Sequence, residues 1–155
     1  MNLEESRGGT LCLSKAGLAI GSTPAQLAIA APNGAGVDFV INGTLYHKAD
    51  IASVAVTAQA IQPALYTCLY LVQLNAAGTL STVKGTQVLT AALAAKSAVL
   101  KWPEPTSALY CPIGAYKVVT ALTATYTAAT TDHDAANVTT TYIDLMCIPP
   151  SPLTA

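Results

Sequence analysis

The chain has 155 residues, of which 52% are hydrophobic and only 10% charged, with a net charge of −1, whereas a typical soluble domain carries about 25% charged residues. Its seven basic residues (Arg7, Lys15, Lys48, Lys84, Lys96, Lys101 and Lys117) are scattered, which excludes the concentrated basic surface that nucleic-acid binding needs. Its apolar runs, residues 64–74 and 88–100, fall short of the roughly 20 residues that cross a bilayer, so no membrane segment is expected.

The length suits one domain with extended ends. Residues 1–17 form a polar, Gly-containing N-terminal arm. Glu4 and Glu5 stand where a secretory signal would carry an apolar stretch, so no such signal is expected. A β domain spans 18–146. Its clearest unit is 37–41 and 44–48 flanking Asn42-Gly43, the pair that best tolerates the two positive φ angles of a type I′ turn.

A strand is predicted at 53–57. A nearly continuous apolar run at 66–74 reads as a central, doubly buried strand, and a turn at Asn75-Ala76-Ala77-Gly78 leads into a partner at 79–83. Residues 91–96 are good helix formers and predict one or two helical turns, then a strand running towards Trp102, ended by Pro103 and Pro105. Further strands are predicted at 108–111 continuing into 113–120, at 122–127 and at 138–146. A polar loop at 130–137 carries Asp132-His133-Asp134, and 147–155 is a Pro-rich tail. Short strands at roughly ten-residue intervals predict an all-β fold, an antiparallel sandwich or barrel, jelly-roll-like, with at most one short helix.

No catalytic constellation is visible. His133 between two aspartates reads as a solvated turn, since adjacent loop side chains point apart and do not converge on a metal. His47, near Asp50, reads as a surface or interface residue. Gly21-Ser22-Thr23-Pro24 lacks the pattern of a nucleophile elbow. Gly34-Ala35-Gly36 has Phe39 where a dinucleotide fingerprint needs its third glycine. Cys12, Cys68, Cys111 and Cys147 lack metal-type pairing and read as mainly buried thiols. No metal, cofactor or enzymatic activity is expected. Tyrosine outnumbers phenylalanine seven to one, which hints at interfaces where a ring is buried and its hydroxyl stays paired.

No charge falls within 17–36, 52–82 or 119–130. Neutral stretches of this length suit faces packed on other protein. The segment APNGAGVDFVINGTLYHK (31–48), followed by Leu69-Tyr70-Leu71-Val72, Ala77-Gly78-Thr79, Cys111-Pro112-Ile113-Gly114 and the Thr-rich strand at 138–144, resembles small structural proteins encoded beside the capsid genes of tailed bacteriophages. That resemblance implies a capsid decoration, or cement, protein. Such a protein is made in the host cytoplasm, forms a homo-oligomer, often a trimer, and sits on the virion surface joining major capsid subunits.

The expected contact residues are Leu11 and Leu13 in the arm, Tyr46 and His47 on the first hairpin, and Ile148, Pro149 and Pro150 in the tail. The alternative is a host-recognition fibre tip that binds sugar through its tyrosines. A third, weaker reading is an envelope-degrading enzyme, for which carboxylates and histidines are scarce.

Overall fold

The computed structural model describes residues 9–146. Within them the chain forms β1 (Leu11–Cys12), β2 (Leu18–Ile20), β3 (Leu27–Ile29), β4 (Val37–Ile41), β5 (Thr44–Lys48), β6 (Ile51–Val54), β7 (Tyr66–Asn75), β8 (Leu80–Lys84), β9 (Val88–Leu89), a five-residue helix α1 (Thr90–Ala94), β10 (Tyr110–Thr120) and β11 (Val138–Asp144). All pairings are antiparallel. Three sheets result: β1-β4-β5, β2-β3-β6, and a five-stranded sheet ordered β11-β10-β7-β8 with β9 also on β7. They pack around a single hydrophobic cluster, which makes the fold an all-β sandwich.

The hairpin β4–β5 turns on Asn42 (φ 50°) and Gly43 (φ 80°), as the positive-φ requirement dictates. In β4 the residues Val37, Phe39 and Ile41 are buried and alternate with half-buried Asp38 and Val40, the period-two pattern of a strand with one face on the core. β7 has eight consecutive buried residues between its ends, so both of its faces are covered. Cys68, Tyr70, Val72 and Leu74 point into the shared core, and Thr67, Leu69, Leu71 and Gln73 point the other way.

β10 runs unbroken from Tyr110 to Thr120, with a register shift between Pro112 and Gly114. A Cβ at Gly114 would overlap the Leu18 side chain and the Ile143 carbonyl. Glycine there lets β2 sit against the large sheet, where Leu18 N also donates to Asp144 Oδ1 (2.9 Å).

The outer edge of β8 is closed by side chains rather than by a strand. Thr57 and Thr82 each donate a backbone N–H to the other's hydroxyl (3.1 and 3.0 Å), and Lys84 Nζ donates to the Ala60 and Ile61 carbonyls. An edge occupied in this way cannot template further pairing.

Four expectations need correction. The arm predicted over 1–17 ends earlier: Leu11–Cys12 pairs with Val40 and Phe39, and Cys12 and Ala16 are buried in the core. Its polar residues extend the ladder, with Thr10 Oγ1 accepting from Asn42 N (3.1 Å) and Ser14 Oγ from Asp38 N (2.8 Å). No strand forms at 122–127; Tyr126 makes an isolated bridge to Gln62, and positive φ at Thr123 and Ala129 bends the chain on either side. The helix is Thr90–Ala94 rather than 91–96, because Lys96 turns out at φ 56°. Past it no strand runs to Trp102. The tail 147–155 lies outside the described residues.

Candidate functional site

The most concentrated chemistry sits on the core face of β7 and β10. Tyr70 and Tyr116 are cross-strand neighbours whose rings stack at 4.8 Å with planes 3° apart, and Tyr126 meets Tyr70 edge-on at 5.5 Å. His133 is 3% exposed and lies over Tyr116 at 5.0 Å.

The solvated turn expected around His133 is therefore wrong. Its Nε2 is 2.9 Å from the Tyr126 hydroxyl and its Nδ1 is 2.8 Å from the Tyr142 hydroxyl. Its own N–H donates to the Pro24 carbonyl, and Thr140 Oγ1 donates to its carbonyl (2.9 Å). A neutral imidazole has one donor and one acceptor, so one tyrosine donates to the ring and the other accepts from it.

Gln62 completes the cluster. Its Nε2 donates to the Tyr66 and Val118 carbonyls, and its Oε1 accepts from the Tyr70 hydroxyl (3.1 Å). The Tyr116 hydroxyl is buried without a hydrogen-bond partner among the described residues.

Burial sets the electrostatics of this cluster. It lowers His133 to about 4, against the opposing pull of Asp132 and Asp134, and raises Tyr126 to about 12. Tyr70, Tyr116 and Tyr142 are also raised by burial, and so is the Cys68 thiol, to about 11, with Lys84 pulling the other way. Every one of these groups is held in its neutral form near pH 7. Both ring nitrogens of His133 are already engaged, which leaves no atom to take a proton from a substrate. The cluster is a packed polar core. Among the described residues no group of three or more His, Cys, Asp or Glu is placed to hold a metal.

The surface offers more. In the β1-β4-β5 sheet the register aligns Leu11, Val40 and Leu45 in one row. These residues lie on the face opposite buried Cys12, Phe39 and Ile41. Leu45 is 65% exposed. Beside this row, Leu13 N donates to the Asp38 carbonyl, and Asp38 pairs across with His47. His47 Nδ1 lies 2.8 Å from Asp38 Oδ1, both side chains about half exposed. Its carboxylate neighbour is thus Asp38, while Asp50 instead accepts from Ala31 N (2.9 Å).

An open depression of about 240 Å³ adjoins this face, lined by Leu13, Ser14, Lys15, Pro32, Asn33 and Met146; it is smaller than the ~300–1,000 Å³ of small-molecule pockets. The described chain begins at Gly9, whose carbonyl accepts from Gly43 N at one end of the face. It ends at Met146, which lines the depression together with Leu13.

Of the expected contact residues, Leu11, Leu13 and His47 come together on this face. Tyr46 does not: its ring turns inward, stacked on Phe39 at 5.7 Å. Ile148, Pro149 and Pro150 lie outside the described residues. Val40 and Leu45 complete the row and were not anticipated, although apolar residues at the outward positions of an alternating hairpin are a readable signal. Of the seven tyrosines, Tyr70, Tyr116 and Tyr126 are wholly buried. Comparison with protein-family models, with curated proteins and with solved structures gives no match to this chain.

Proposed function

We propose that this chain is a structural subunit of a tailed-phage virion, a homo-oligomer, trimeric in the simplest form, that decorates the capsid and bridges major capsid subunits. The observation that carries the reading is the Leu11–Val40–Leu45 row, three apolar side chains aligned across the outward face of the β1-β4-β5 sheet beside the Asp38–His47 pair. On docking, burial of that row supplies the driving force, and an extended terminal segment that pairs with a neighbour's sheet edge adds backbone hydrogen bonds. A subunit that binds only the assembled shell stabilises it by mass action.

In this reading the protein is not an enzyme and carries no cofactor, and its chemistry is recognition. Of the rings that the sugar-binding alternative would use, Tyr70, Tyr116 and Tyr126 are wholly buried, which leaves it Trp102 and the half-buried Tyr46, Tyr66, Tyr110 and Tyr142.

The test is occupancy on shells of the phage that encodes the chain, read by gel densitometry and cryo-electron microscopy. Truncations must stop at residue 8, because Leu11–Cys12 pairs with β4 and Cys12 and Ala16 are buried in the core. Leu45→Glu is expected to cut occupancy at least tenfold, on the order of 1.4 kcal/mol or more, and removal of 1–8 or 147–155 to lower it further. Full occupancy by all three variants would falsify the proposal.

A further inference from the structure

The sequence carries Asn-Gly twice, at 33–34 and 42–43, and all four residues are exposed. In such a pair the side-chain amide lies open to attack by the next backbone nitrogen, because glycine has no Cβ to hinder the approach. Both glycine nitrogens are guarded in the fold, in different ways. Gly34 N–H donates to the Ala31 carbonyl (2.9 Å), and Asn33 Oδ1 accepts from Ala35 N (3.0 Å), so the guard at 33–34 is local, contained within 31–35. The guard at 42–43 comes from a distant segment. Gly43 N–H donates to the Gly9 carbonyl (3.1 Å) and Asn42 N–H to Thr10 Oγ1 (3.1 Å), so the residues leading into β1 lie as a strap across the turn of the β4–β5 hairpin. Pairing of Leu11 with Val40 and of Cys12 with Phe39 seats that strap.

We propose that Asn42 is a self-modification site, a deamidation site gated by the Gly9–Thr10 strap. While the strap is down, the Gly43 nitrogen keeps its proton and points it at the Gly9 carbonyl. When the strap lifts, that nitrogen gives up its proton and forms a bond to Asn42 Cγ. The Cγ–Nδ2 bond breaks, the amide nitrogen leaves as ammonia with the proton, and a cyclic succinimide closes. Water then opens the ring at either of its carbonyls, which leaves aspartate or isoaspartate at position 42. Water is the sole co-reactant, and nothing is oxidised or reduced. Either product places a carboxylate at the tip of the hairpin that carries Leu45. Isoaspartate also lengthens the main chain inside the tight turn that fixes the pairing of Val40 with Leu45. This chemistry needs no partner, so it holds whether or not the face docks on a shell.

The experiment is peptide-mapping mass spectrometry of the full chain during incubation in mildly alkaline buffer, native and in guanidinium chloride, with deamidation read separately at Asn33 and Asn42. Denaturant lifts every guard, and Asn42 is expected to react there at least about tenfold faster than in the native chain. Gly9 sits at φ 64°, and a Cβ there would stand 3.1 Å from Gly43 N. Gly9→Val therefore pushes the strap off the turn and should raise the native rate at Asn42 about threefold to tenfold, the factor by which losing one hydrogen bond shifts a local opening. The rate at Asn33, whose guard is local, should stay within about twofold of wild type. Thr10→Ala adds no bulk and removes only the acceptor of Asn42 N–H; it should raise the Asn42 rate about twofold or more, and it keeps the test decisive if Gly9→Val perturbs folding.

An Asn42 that stays intact even in denaturant overturns the site, and one that reacts as fast in the native chain as in denaturant overturns the gate. An Asn42 rate untouched by both Gly9→Val and Thr10→Ala overturns the role of the strap. So does an equal rise at Asn33 and Asn42 in both variants, which would mean a general loosening of the fold. Shell binding enters none of these readouts, so their failure leaves the decoration reading standing.

Discussion

The two faces of the largest sheet are built on the same strands and finished in opposite ways. On the inner face, Tyr70 and Tyr116 are capped by Tyr126, His133 and Tyr142, and nearly every polar tip there finds a partner within the fold. On the outer face, Leu69 and Leu71 are buried between Thr67 and Gln73, which hydrogen-bond to Thr90 and Thr106 of a stretch, residues 86–109, in which no residue is itself buried. One face closes on the chain's own groups; the other stops one layer short of closure. In a molecule with so few charges, the difference separates the part of the structure that specifies the fold from the part that stays open to its surroundings.

If the inner face is a closed neutral network, acid is the way to break it. His133 sits at about 4 in the folded chain because burial disfavours its charge, against an ordinary value near 6.5. The unfolded state therefore binds more protons between these values, and stability falls as pH drops from about 6.5 to about 4, then loses nothing further from this group. At 1.36 kcal/mol per pH unit the loss is on the order of 3 kcal/mol. Urea unfolding at pH 7, 5.5 and 4 measures it. His133→Gln keeps one donor and one acceptor, and the difference between wild type and variant isolates the histidine from the carboxylates that titrate in the same range. Parallel profiles for the two proteins would show that His133 is not buried neutral.

The same network can be probed one hydroxyl at a time. Tyr70→Phe strands the Gln62 Oε1 acceptor in the core and should cost about 1–3 kcal/mol. Tyr116→Phe removes a buried hydroxyl that has no partner among the described residues, so it should be neutral or slightly stabilising. Thermal midpoints of the two variants, side by side, test whether satisfaction or mere ring packing holds this face together. Equal losses would favour packing.

What the sequence disclosed follows the range of the interactions involved. The Asn42-Gly43 hairpin was legible because two adjacent residues set its turn, and β7 because an unbroken apolar run needs cover on both sides. β1, β2 and β3 were not, since strands of two or three residues leave no periodicity to read and depend on partners far along the chain. His133 was misplaced for the same reason. Asp-His-Asp is a polar string locally, and only the fold brings Tyr126 and Tyr142 to its two nitrogens.

The signal that existed was compositional: seven tyrosines to one phenylalanine means many ring hydroxyls to satisfy, and a histidine can satisfy two at once. On the surface, register brings Leu11, Leu13 and His47 to one face of the β1-β4-β5 sheet, while alternation turns Tyr46 to the core.

The outer stretch should respond least to substitution. Val99 is 76% exposed, so in dilute solution Val99→Arg should shift stability by no more than about 0.5 kcal/mol, the range of ordinary surface changes. The melting midpoints of wild type and Val99→Arg should therefore lie within about 2 °C of each other. A Val99→Arg midpoint already several degrees lower in dilute solution would mean that the layer is part of the subunit's own core, and the contrast between the two faces would fail.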